Sequence, residues 1–541
     1  NDWHGHILPD KDYRTPGEPK PLMGGASRLA SYLFKARNEA EKNGAGILLV
    51  DAGDIFHGTP EGNNYKGESI IEIMNALQYD AVAVGNHDFS YGPDNLKKLA
   101  AKARFPFLGA NIIHAKSNQI PLYLGSYIIK EINGLKIGLI GVTTPQTKMM
   151  NFYENVSGLD FIKPAIAVSR SIAELQKNKA DLIVVLSHLG YDDDKILAEC
   201  LPQINVIVGG HDHLVLDPPE ITGETIICQT GDNGLRVGKL DLIIDTQTKK
   251  IIAHENRIVN LYYELYHPDA QMEMLVEEYR DHEKDETIAY AQTTLPKDSH
   301  GEFALGDWVT DVMKFTAATD IALEPNGGIR CGLAKGPVTK RDLYCISPFD
   351  NTLVTFKLYG RQIHDLLEAS LGDGDIQLQV SGLVLEYSPE KPKGSRITNL
   401  SIGGRKAQDG KIYTVAMNDF VVLGSKRYPQ LKNLMEFKDT GLTIYQTLLN
   451  YSRQHSPIAK SEGGRIIKKP LELKLNKINI NTADEKTLML LKGIGPKKAK
   501  DIIEYRKKSG QFTRIEDIMN VHGIGPGFFR KFKDNICVLE K

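Results

Sequence analysis

The sequence predicts an α/β protein with three parts: a layered α/β sandwich, a second α/β domain, and a small all-α module. Three observations support this prediction. Short apolar runs rich in β-branched residues alternate with helical stretches over residues 1–255. Helix and strand patterns are mixed again over residues 289–467. Residues 474–541 contain an internal repeat built around two Gly-Ile-Gly-Pro turns.

The apolar runs of the first part indicate buried strands, because a strand that is covered on both faces needs no polar alternation. Two longer stretches between them, residues 28–43 and 162–177, have helical character. Together these elements predict a sheet-containing domain that is covered by helices. The predicted strands are residues 46–51, 81–85, 136–142, 181–186 and 205–209.

The remainder of the chain divides at changes in composition. Residues 256–288 are charged and Tyr-rich and are predicted to form an interdomain helix or linker. The domain after it contains the predicted strands 351–358 and 378–387. A Lys- and Pro-containing linker near residues 468–475 precedes the last module. We therefore expect three domains, over residues 1–255, 289–467 and 474–541.

The composition of the 541-residue chain is that of an ordinary globular protein, with 41% hydrophobic and 25% charged residues. Its formal net charge of −2 excludes a polycation that coats nucleic acid. The charge is uneven, however, because residues 471–541 carry 15 Lys and Arg against 9 Asp and Glu. The five cysteines are too scattered for a disulfide framework or a CxxC metal site. No stretch approaches the roughly 20 apolar residues that a membrane-spanning helix needs.

Five short motifs of the first part carry side chains that can bind metals, and each follows a predicted strand or lies in a turn beside one. The ends of neighbouring strands converge on one site in an α/β sheet. Imidazole, carboxylate and amide oxygen together favour two divalent transition metals, such as Zn or Mn, over Ca. Each motif alone is more often structural, but the ordered set predicts a dinuclear site. The motifs are Asp2-x-His4, Gly53-Asp54, Gly85-Asn86-His87-Asp88, Ser187-His188 and Gly210-His211-Asp212-His213.

This ordered set resembles the calcineurin-like metallophosphoesterase domain of the 5'-nucleotidase family, and the resemblance extends over residues 1–467. It implies that His87 is catalytic and stabilises phosphoryl charge in the transition state. The family motif, Gly-Asn-His-Glu-Phe-Asp, ends in a carboxylate that orients this histidine, whereas this chain has Ser90 there. Either Asp88 substitutes for that carboxylate or His87 is less well oriented. The ligands implied for one metal ion are Asp2, His4, Asp54 and His213, and those for the other are Asp54, Asn86, His188 and His211.

The second domain is similar to the substrate-binding domain of the same family. Its Gly-rich loop at residues 325–330 ends in Arg330, which by resemblance contacts substrate phosphate, a role that suits the planar guanidinium. Phe349 and Tyr428 match the two aromatic residues between which the nucleobase stacks. The family often has Asn at Pro325 and an acidic Gly-rich motif before the second aromatic residue. This chain has Gly424-Ser425-Lys426-Arg427 instead, which leaves the substrate selectivity open.

Residues 474–541 resemble the tandem helix-hairpin-helix domain of competence-type DNA receptors. A Gly-x-Gly turn that opens a helix exposes backbone N–H groups to a phosphate. Such contacts carry little sequence information, so we expect sequence-independent, salt-sensitive binding of DNA. Docking on a protein partner is the alternative. Asn481 is expected to cap the first helix, and the residues implied in DNA contact are Gly493, Gly495, Lys497, Lys498, Gly523 and Gly525.

The sequence therefore predicts a metal-dependent phosphoric ester hydrolase that acts on nucleotides and carries a DNA-binding module. One alternative is a nuclease or cyclic-nucleotide phosphodiesterase on the same metal site, although an aromatic clamp favours small nucleotides. The other is a DNA-binding adaptor whose hydrolase has decayed. The family implies a secreted, periplasmic or cell-surface location, and we expect the chain to begin partway through its first element.

Overall fold

The protein forms two compact units, Asn1–Lys468 and Lys469–Lys541. The computed structural model describes residues 1–298, 300–372, 375–424, 428–432, 434–470 and 477–538. The first unit contains both α/β regions that the sequence predicts, and the second is the C-terminal module. Among the described residues, no helix combines the length and the apolar character needed to cross a bilayer.

Two sheets packed face to face form the centre of the N-terminal region. Leu108 of the smaller sheet meets Leu139 and Leu186 of the larger sheet in the apolar layer between them. The smaller sheet is parallel and consists of Val50–Asp51, Ala81–Ala83 and Phe107–Leu108. The larger sheet has the order Glu220–Thr222, Thr225–Cys228, Val206–Gly209, Leu182–His188, Leu135–Thr143 and Tyr127–Ile132.

Helices cover the outer face of each sheet, so the region is the layered sandwich that the sequence predicts. Leu29 and Ile70 pack against Val82 of the smaller sheet. Val168 packs against Val185 of the larger sheet. Because these strands are covered on both faces, their sequences are almost continuously apolar. The helices are Ala26–Lys42, Pro60–Asn63, Glu68–Leu77, Gly92–Lys102, Thr147–Met150, Pro164–Lys177 and Tyr191–Cys200, and the two further strand pairs are Asp10–Lys11 with Leu22–Met23 and Ile112–His114 with Leu159–Phe161.

The segment that is predicted to form an interdomain helix or linker, residues 256–288, is only partly helical. Its first residues belong to the strand Ile251–Asn260, which forms a hairpin with Arg236–Ile244. The helix is confined to Ala270–Tyr279, because Asp269 caps its start by accepting a hydrogen bond from the backbone N–H of Met272 (2.9 Å). Met272 and Val276 of this helix pack into the core of the N-terminal region. The α-helix of this segment therefore covers only Ala270–Tyr279.

A five-stranded mixed sheet forms the centre of the second α/β region. Trp308 and Leu448 pack on one face of this sheet, and Ile363 and Leu366 pack on the other. The strand order is Leu378–Ser381, Ile321–Pro325, Ile412–Asn418, Thr352–Tyr359 and Met435–Thr443. The helices of this region are Ala304–Ala317, Lys340–Ile346, Gly360–Ser370 and Ile444–Gln454. A two-stranded sheet pairs Thr287–Ala291 with Gly336–Thr339. A four-stranded sheet has the order Arg405–Lys406, Ile397–Ile402, Leu383–Tyr387 and Ile466–Lys468.

Two predicted strands differ from the structure. The strand predicted over residues 378–387 is two strands in two different sheets, divided at Gly382. Gly382 has a φ of 79°, and a Cβ atom there would lie 2.0 Å from the carbonyl oxygen of Asp320, so only glycine allows this break. The strand predicted over residues 46–51 is limited to Val50–Asp51, because the N–H of Leu49 donates to the side chain of Asp80 (2.9 Å).

The C-terminal unit is built from two equivalent halves. Ile494 and Ile524, the central residues of the two Gly-Ile-Gly turns, are both buried in its core. A short parallel pair, Ile478–Asn479 with Ile536–Cys537, is the one non-helical pairing that the structure gives for the described part of this unit. The predicted linker near residues 468–475 lies mostly outside the described residues. The helical segments are Glu485–Leu488, Pro496–Ser509, Ile515–Asn520, Pro526–Phe529 and Lys533–Asn535.

Candidate functional site

The candidate metal ligands lie at the carboxyl ends of strands from both sheets of the sandwich. Asp54 follows Val50–Asp51, and Asn86 follows Ala81–Ala83, in the smaller sheet. His188 ends the strand Leu182–His188 of the larger sheet, and His211 and His213 follow its neighbour. Because the sheets face each other, these ends meet at one edge of the sandwich.

The first residues of the chain complete this cluster. The N–H of Asp2 donates to the carbonyl of Gly53 (3.0 Å), and that of His4 donates to the carbonyl of Asp54 (2.9 Å). The Asp2 carboxylate in turn accepts the N–H of His211, with 3.1 Å to Oδ2. Backbone hydrogen bonds to the loop after the smaller sheet, and the Asp2 carboxylate on the side of the larger sheet, thus hold the segment in place, and all seven candidate ligands converge.

Nitrogen and oxygen donors of four residues lie close together at one side of the cluster. His4 Nε2 is 3.1 Å from His213 Nε2. Asp2 Oδ1 lies 3.5 Å from His213 Nε2 and 4.0 Å from His4 Nε2, and Asp54 Oδ2 is also 4.0 Å from His4 Nε2. Two imidazole nitrogens at such a distance beside carboxylate oxygens form a donor set that suits a divalent transition metal.

A second group of donors shares Asp54 with the first. His188 Nε2 lies 3.1 Å from Asp54 Oδ2 and 3.2 Å from Asn86 Oδ1. Ligand atoms of Asp2, Asp54 and His188 all lie within 4.8 Å of one another. The ring of His211 is 5.1 Å, centroid to centroid, from that of His188. The two groups therefore adjoin along Asp54, as a bridging carboxylate requires.

Hydrogen bonds on the far side of the rings select the tautomer of each histidine. His4 Nδ1 lies 3.0 Å from the carbonyl of His57, and His188 Nδ1 lies 2.8 Å from the carbonyl of Ala52. A carbonyl can only accept, so each Nδ1 donates and each Nε2 can present its lone pair to the cluster. His213 is held in the same way, because its Nδ1 lies 3.2 Å from Asp232 Oδ2.

Charge at the centre of the cluster favours a cation. Burial opposes ionisation of Asp54, but His188 and His87 outweigh it and hold the pKa of this carboxyl well below its usual range. Burial would lower the pKa of His188, yet the charge of Asp54 raises it to about 10. A positive charge between these two side chains is therefore stabilised, which is a further observation that the residues fit metal ions.

The backbone of the ligand segments is strained. Five of the candidate ligands have a positive φ, between 48° and 84°, which is uncommon for residues other than glycine. Such strain costs about 1–3 kcal/mol per residue and clusters at functional sites. Gly85 is required here as well, because a Cβ atom would lie 2.1 Å from Asp54 Oδ1. The strained ligands are Asp2, His4, Asp54, His211 and His213.

Asp88 does not take over the role expected from the family carboxylate. Its Oδ2 accepts the N–H groups of Gly85 (2.7 Å) and Asp54 (3.0 Å), and its Oδ1 accepts that of Ile55 (3.0 Å). Burial and the neighbouring Asp54 raise the pKa of Asp88 to about 7. The buried carboxyl group thus holds the two ligand loops together instead of orienting His87.

The second α/β region brings its predicted substrate contacts against this cluster. Arg330 Nη2 lies 3.1 Å from His4 Nε2. The ring of Phe349 is stacked on that of His87, with centroids 5.7 Å apart and planes at 21°. Arg330, Phe349 and His87 line one cavity of about 840 Å³, together with the ligands Asp54, Asn86 and His211. The cavity therefore contains groups suited to phosphate and to a planar ring.

Tyr428 also lines this cavity, but only 5% of its surface is exposed and it packs in the core of the second region. Phe420, which the sequence analysis did not select, lines the same cavity and is half-buried. Its ring is 5.1 Å from that of Phe152 in the first region. Phe420 directly follows Asn418 and Asp419, which line the cavity as well, and this run of polar residues before an aromatic one was the available signal. Ser425, Lys426 and Arg427 lie outside the described residues.

Two further polar residues of the site were missed. His57 is three residues beyond Asp54, lines the cavity and is 9% exposed. Burial and Arg330 lower its pKa to about 4. Asp232 follows the strand Thr225–Cys228 and pairs with both His213 and Arg14. The proximity of His57 to the Gly53-Asp54 motif was a usable signal, whereas Asp232 has none in the sequence.

The candidate DNA-contacting residues lie on the two hairpins of the C-terminal unit. Gly493 and Gly523 have φ values of 90° and 80°, and Gly495 and Gly525 precede the first residues of helices. The hairpins face each other: Lys498 Nζ is 4.3 Å from the ring centre of Phe528, and a Cβ atom on Gly493 would lie 2.9 Å from the same ring. Lys497 is exposed beside the first turn.

The cap expected at Asn481 is wrong. Its side-chain oxygen accepts the N–H of Phe512 (2.8 Å), and its nitrogen donates to the carbonyl of Phe512 (2.9 Å). Asp484 caps the helix instead, by accepting the N–H of Thr487 (2.7 Å). Asn481 therefore joins the two halves of the unit.

Comparison with known proteins identifies the class that the sandwich and its donor cluster define. Residues 1–215 match the calcineurin-like phosphoesterase family, and residues 282–433 match the 5'-nucleotidase C-terminal domain. Residues 474–537 match the helix-hairpin-helix motif. Fold and site are thus those of a metallophosphoesterase, that is, a phosphoric ester hydrolase.

Relatives with this architecture include both nucleotidases and an endonuclease. The chain is 28% identical over 496 residues to "Endonuclease YhcR" of Bacillus subtilis, covering 86% of this chain but 40% of that protein. It is 26% identical over 488 residues to a 5'-nucleotidase of Vibrio cholerae, covering 80% and 87% of the two chains. The crystal structure of a 5'-nucleotidase precursor from Thermus thermophilus matches with a TM-score of 0.79 and 28% identity, over 87% of this chain and 98% of that one. The chain therefore contains a calcineurin-like phosphoesterase domain, a 5'-nucleotidase C-terminal domain and a C-terminal helix-hairpin-helix motif.

Proposed function

We propose that the chain hydrolyses the phosphate monoester of nucleotides at a dinuclear metal centre. The observation that carries this proposal is the common cavity: Arg330 and Phe349 reach from the second region to within contact of His4 and His87 in the first. Groups for phosphate and for a planar base thus adjoin the metal donors, as a small nucleotide requires.

Two divalent ions fit the donors, although their identity stays open. Bound there, such ions lower the pKa of water and stabilise charge on phosphoryl oxygens. His87 donates a hydrogen bond to the phosphoryl group, and the Arg330 guanidinium holds two of its oxygens. We assign one ion to Asp2, His4, Asp54 and His213, and the other to Asp54, Asn86, His188 and His211.

The nucleobase stacks on Phe349 in this proposal, and two residues compete for its other face. Tyr428 is the residue that the sequence analysis selected, and it is almost fully buried in the core. Phe420 is half-buried and lines the cavity. The exposure of Phe420 favours it, because an aromatic side chain must offer a free face to stack on a base.

We also propose that residues 1–255 and 289–467 are domains that separate to admit substrate. Arg330 contacts His4 across this boundary, and the Asn63 side chain donates to the carbonyl of Pro348 (2.8 Å). These contacts join the two domains, so a separation that admits substrate requires them to open. A chemical crosslink between the two domains should abolish turnover and leave metal content unchanged; full activity of the crosslinked protein would refute the motion.

Residues 474–541 are proposed to bind DNA without regard to sequence, through the backbone of both hairpins and nearby lysines. The pairing of this module with a nucleotidase suggests that the enzyme works on nucleotides released from DNA. We further propose a secreted, periplasmic or cell-surface location, on the family resemblance. Fractionation of cells that produce the native protein tests the location, and activity confined to the cytoplasm would refute it.

A second candidate function is hydrolysis of phosphodiesters at the same centre, with DNA as the substrate. The endonuclease relative, whose match covers 86% of this chain, favours it. The pair of aromatic residues proposed to enclose the base argues for small nucleotides instead, because such a clamp would obstruct a polymer such as DNA.

One experiment separates these functions. Phosphate release from AMP and dAMP is measured with added Mn or Zn, beside cleavage of bis-p-nitrophenyl phosphate and linear DNA. Release from the monophosphates that is lost in Asp54→Asn is the expected result. Cleavage of only the diesters would move the function to a nuclease. A protein that binds metal and cleaves nothing would be the adaptor.

A further inference from the structure

The hydroxyl group of Ser90 has a partner in the cavity. Its Oγ lies 3.1 Å from Nδ1 of His57. The carbonyl of Ser90 accepts a hydrogen bond from the Asn155 side chain (2.6 Å), which holds this residue in place. Ser90 stands where the family has the carboxylate that orients the catalytic histidine, yet here it contacts a different imidazole.

The ring of His57 lies between the groups assigned to phosphate and to base. Its centroid is 5.7 Å from that of His87 and 5.3 Å from that of Phe349. If the phosphoryl group of a nucleotide lies at His87 and its base lies on Phe349, the sugar between them lies beside the ring of His57. Among the hydrogen bonds described for the chain, Ser90 engages Nδ1 and leaves Nε2 to a ligand.

The side chain of His57 is separable from the metal centre. His57 supports the ligand His4 through its backbone carbonyl, which lies 3.0 Å from His4 Nδ1. Replacing the imidazole therefore leaves this support in place. A neutral imidazole that accepts the Ser90 hydroxyl at Nδ1 carries its proton on Nε2 and so offers a hydrogen-bond donor to the cavity.

We propose that His57 contacts the sugar of the substrate through Nε2 and that Ser90 is the residue that positions it. The chemical class recognised is a sugar oxygen, either the ring oxygen or a hydroxyl. The inference rests on the proposed nucleotidase function and adds a second imidazole beside His87. At the position where the family has a carboxylate that orients the catalytic histidine, the hydroxyl of Ser90 then orients the imidazole of His57.

The test compares AMP with p-nitrophenyl phosphate, which lacks a sugar and a base. His57→Ala should lower kcat/KM for AMP about tenfold more than kcat/KM for p-nitrophenyl phosphate, because one hydrogen bond to the nucleotide is lost. His57→Gln, which keeps a donor, should recover part of this loss. His114→Ala, an exposed histidine elsewhere on the domain, is the matched control and should change neither value.

A double-mutant cycle tests the role of Ser90. Ser90→Ala should lower kcat/KM for AMP several-fold in the wild-type background and should add nothing to His57→Ala. Ser90→Thr, which keeps the hydroxyl, should restore the value. Metal content, measured by elemental analysis, should stay equal in all variants.

Each of the following outcomes would overturn the inference. Equal losses on AMP and p-nitrophenyl phosphate, or a loss of metal, would show a structural role for His57. Additive effects of Ser90→Ala and His57→Ala would show that the two residues act independently. A wild-type protein that releases phosphate from neither AMP nor dAMP would refute the proposed function, and the inference with it, whereas an active wild type with unchanged His57 variants would refute the inference alone.

Discussion

Asp232 Oδ2 lies 3.2 Å from Nδ1 of His213, and the other carboxylate oxygen of Asp232 pairs with the guanidinium of Arg14. The pair gives His213 a charged partner on the side facing away from the candidate metal ions. Arg14 also donates to the carbonyl of His213 (3.1 Å), so the histidine is held at both its ring and its backbone. A carboxylate behind a ligating histidine fixes the ring and raises its basicity.

Replacing Asp232 should therefore weaken metal binding. Asp232→Ala is expected to lower the affinity about 10- to 100-fold, and Asp232→Asn by less, because the amide oxygen can still accept from Nδ1. Competition with a chromophoric chelator measures the affinity directly. Asp192→Asn, at an exposed carboxylate, is the control. Equal affinity in Asp232→Ala and the wild type would contradict the role.

Arg330 is expected to act on substrate and not on metal. Arg330→Lys keeps the charge but removes the planar fork, so kcat/KM for AMP should fall about 10- to 100-fold. Metal content should be unchanged, since the guanidinium of Arg330 lines the cavity and is not a metal ligand. Steady-state kinetics with parallel elemental analysis makes this comparison. Retention of full activity in Arg330→Lys would show that phosphate is held elsewhere.

Phe420 and Tyr428 should respond differently to truncation. Phe420→Ala should raise KM for AMP and change KM for p-nitrophenyl phosphate little, because it removes a stacking surface worth about 1–3 kcal/mol. Tyr428→Ala should instead destabilise the fold by about 3–5 kcal/mol, since its ring is buried in the core. Chemical unfolding and kinetics on both variants decide the assignment. The reverse pattern would restore Tyr428 as the base contact.

Glu324 should make stability fall as the pH rises. Burial, with a smaller effect from Asp419, raises the pKa of its carboxyl to about 8, against an unfolded value near 4.5. The folded protein therefore retains a proton that the unfolded chain has released, and stability is lost between about pH 4.5 and 8. Glu324→Gln, which can still accept from Asn418, should flatten this dependence. Melting temperatures from pH 5 to 8 test it, and parallel curves for the two proteins would count against it.

DNA binding by the C-terminal unit should depend on exposed lysines near the first hairpin. Lys497→Ala should weaken binding to all sequences alike and reduce the slope of log K against log salt by about one. Fluorescence anisotropy at several salt concentrations gives both quantities. Lys508→Ala, near the end of the helix Pro496–Ser509, is the control. Absence of binding at every salt concentration would favour a protein partner.

Much of the fold was accessible from local patterns. The apolar runs predicted the strands of the sandwich because those strands are covered on both faces. The extent of the helix within residues 256–288 was not readable from the sequence, because charge and tyrosine content do not distinguish a hairpin strand from a helix. The break at Gly382 depends on the approach of Asp320, a residue distant in the sequence, which no local pattern reports.

The sequence alone predicted the class of this protein: a layered α/β hydrolase with seven candidate metal donors and a helix-hairpin-helix module. It could do so because donors at strand ends occur in short motifs whose order along the chain is readable. The residues that support the site became visible only in the folded structure. Asp88 accepts backbone N–H groups of the ligand loops, Asp232 contacts His213, and Ser90 contacts His57. Each of these contacts joins segments that are separated in the sequence and approach one another because the strands before them pair in one sheet.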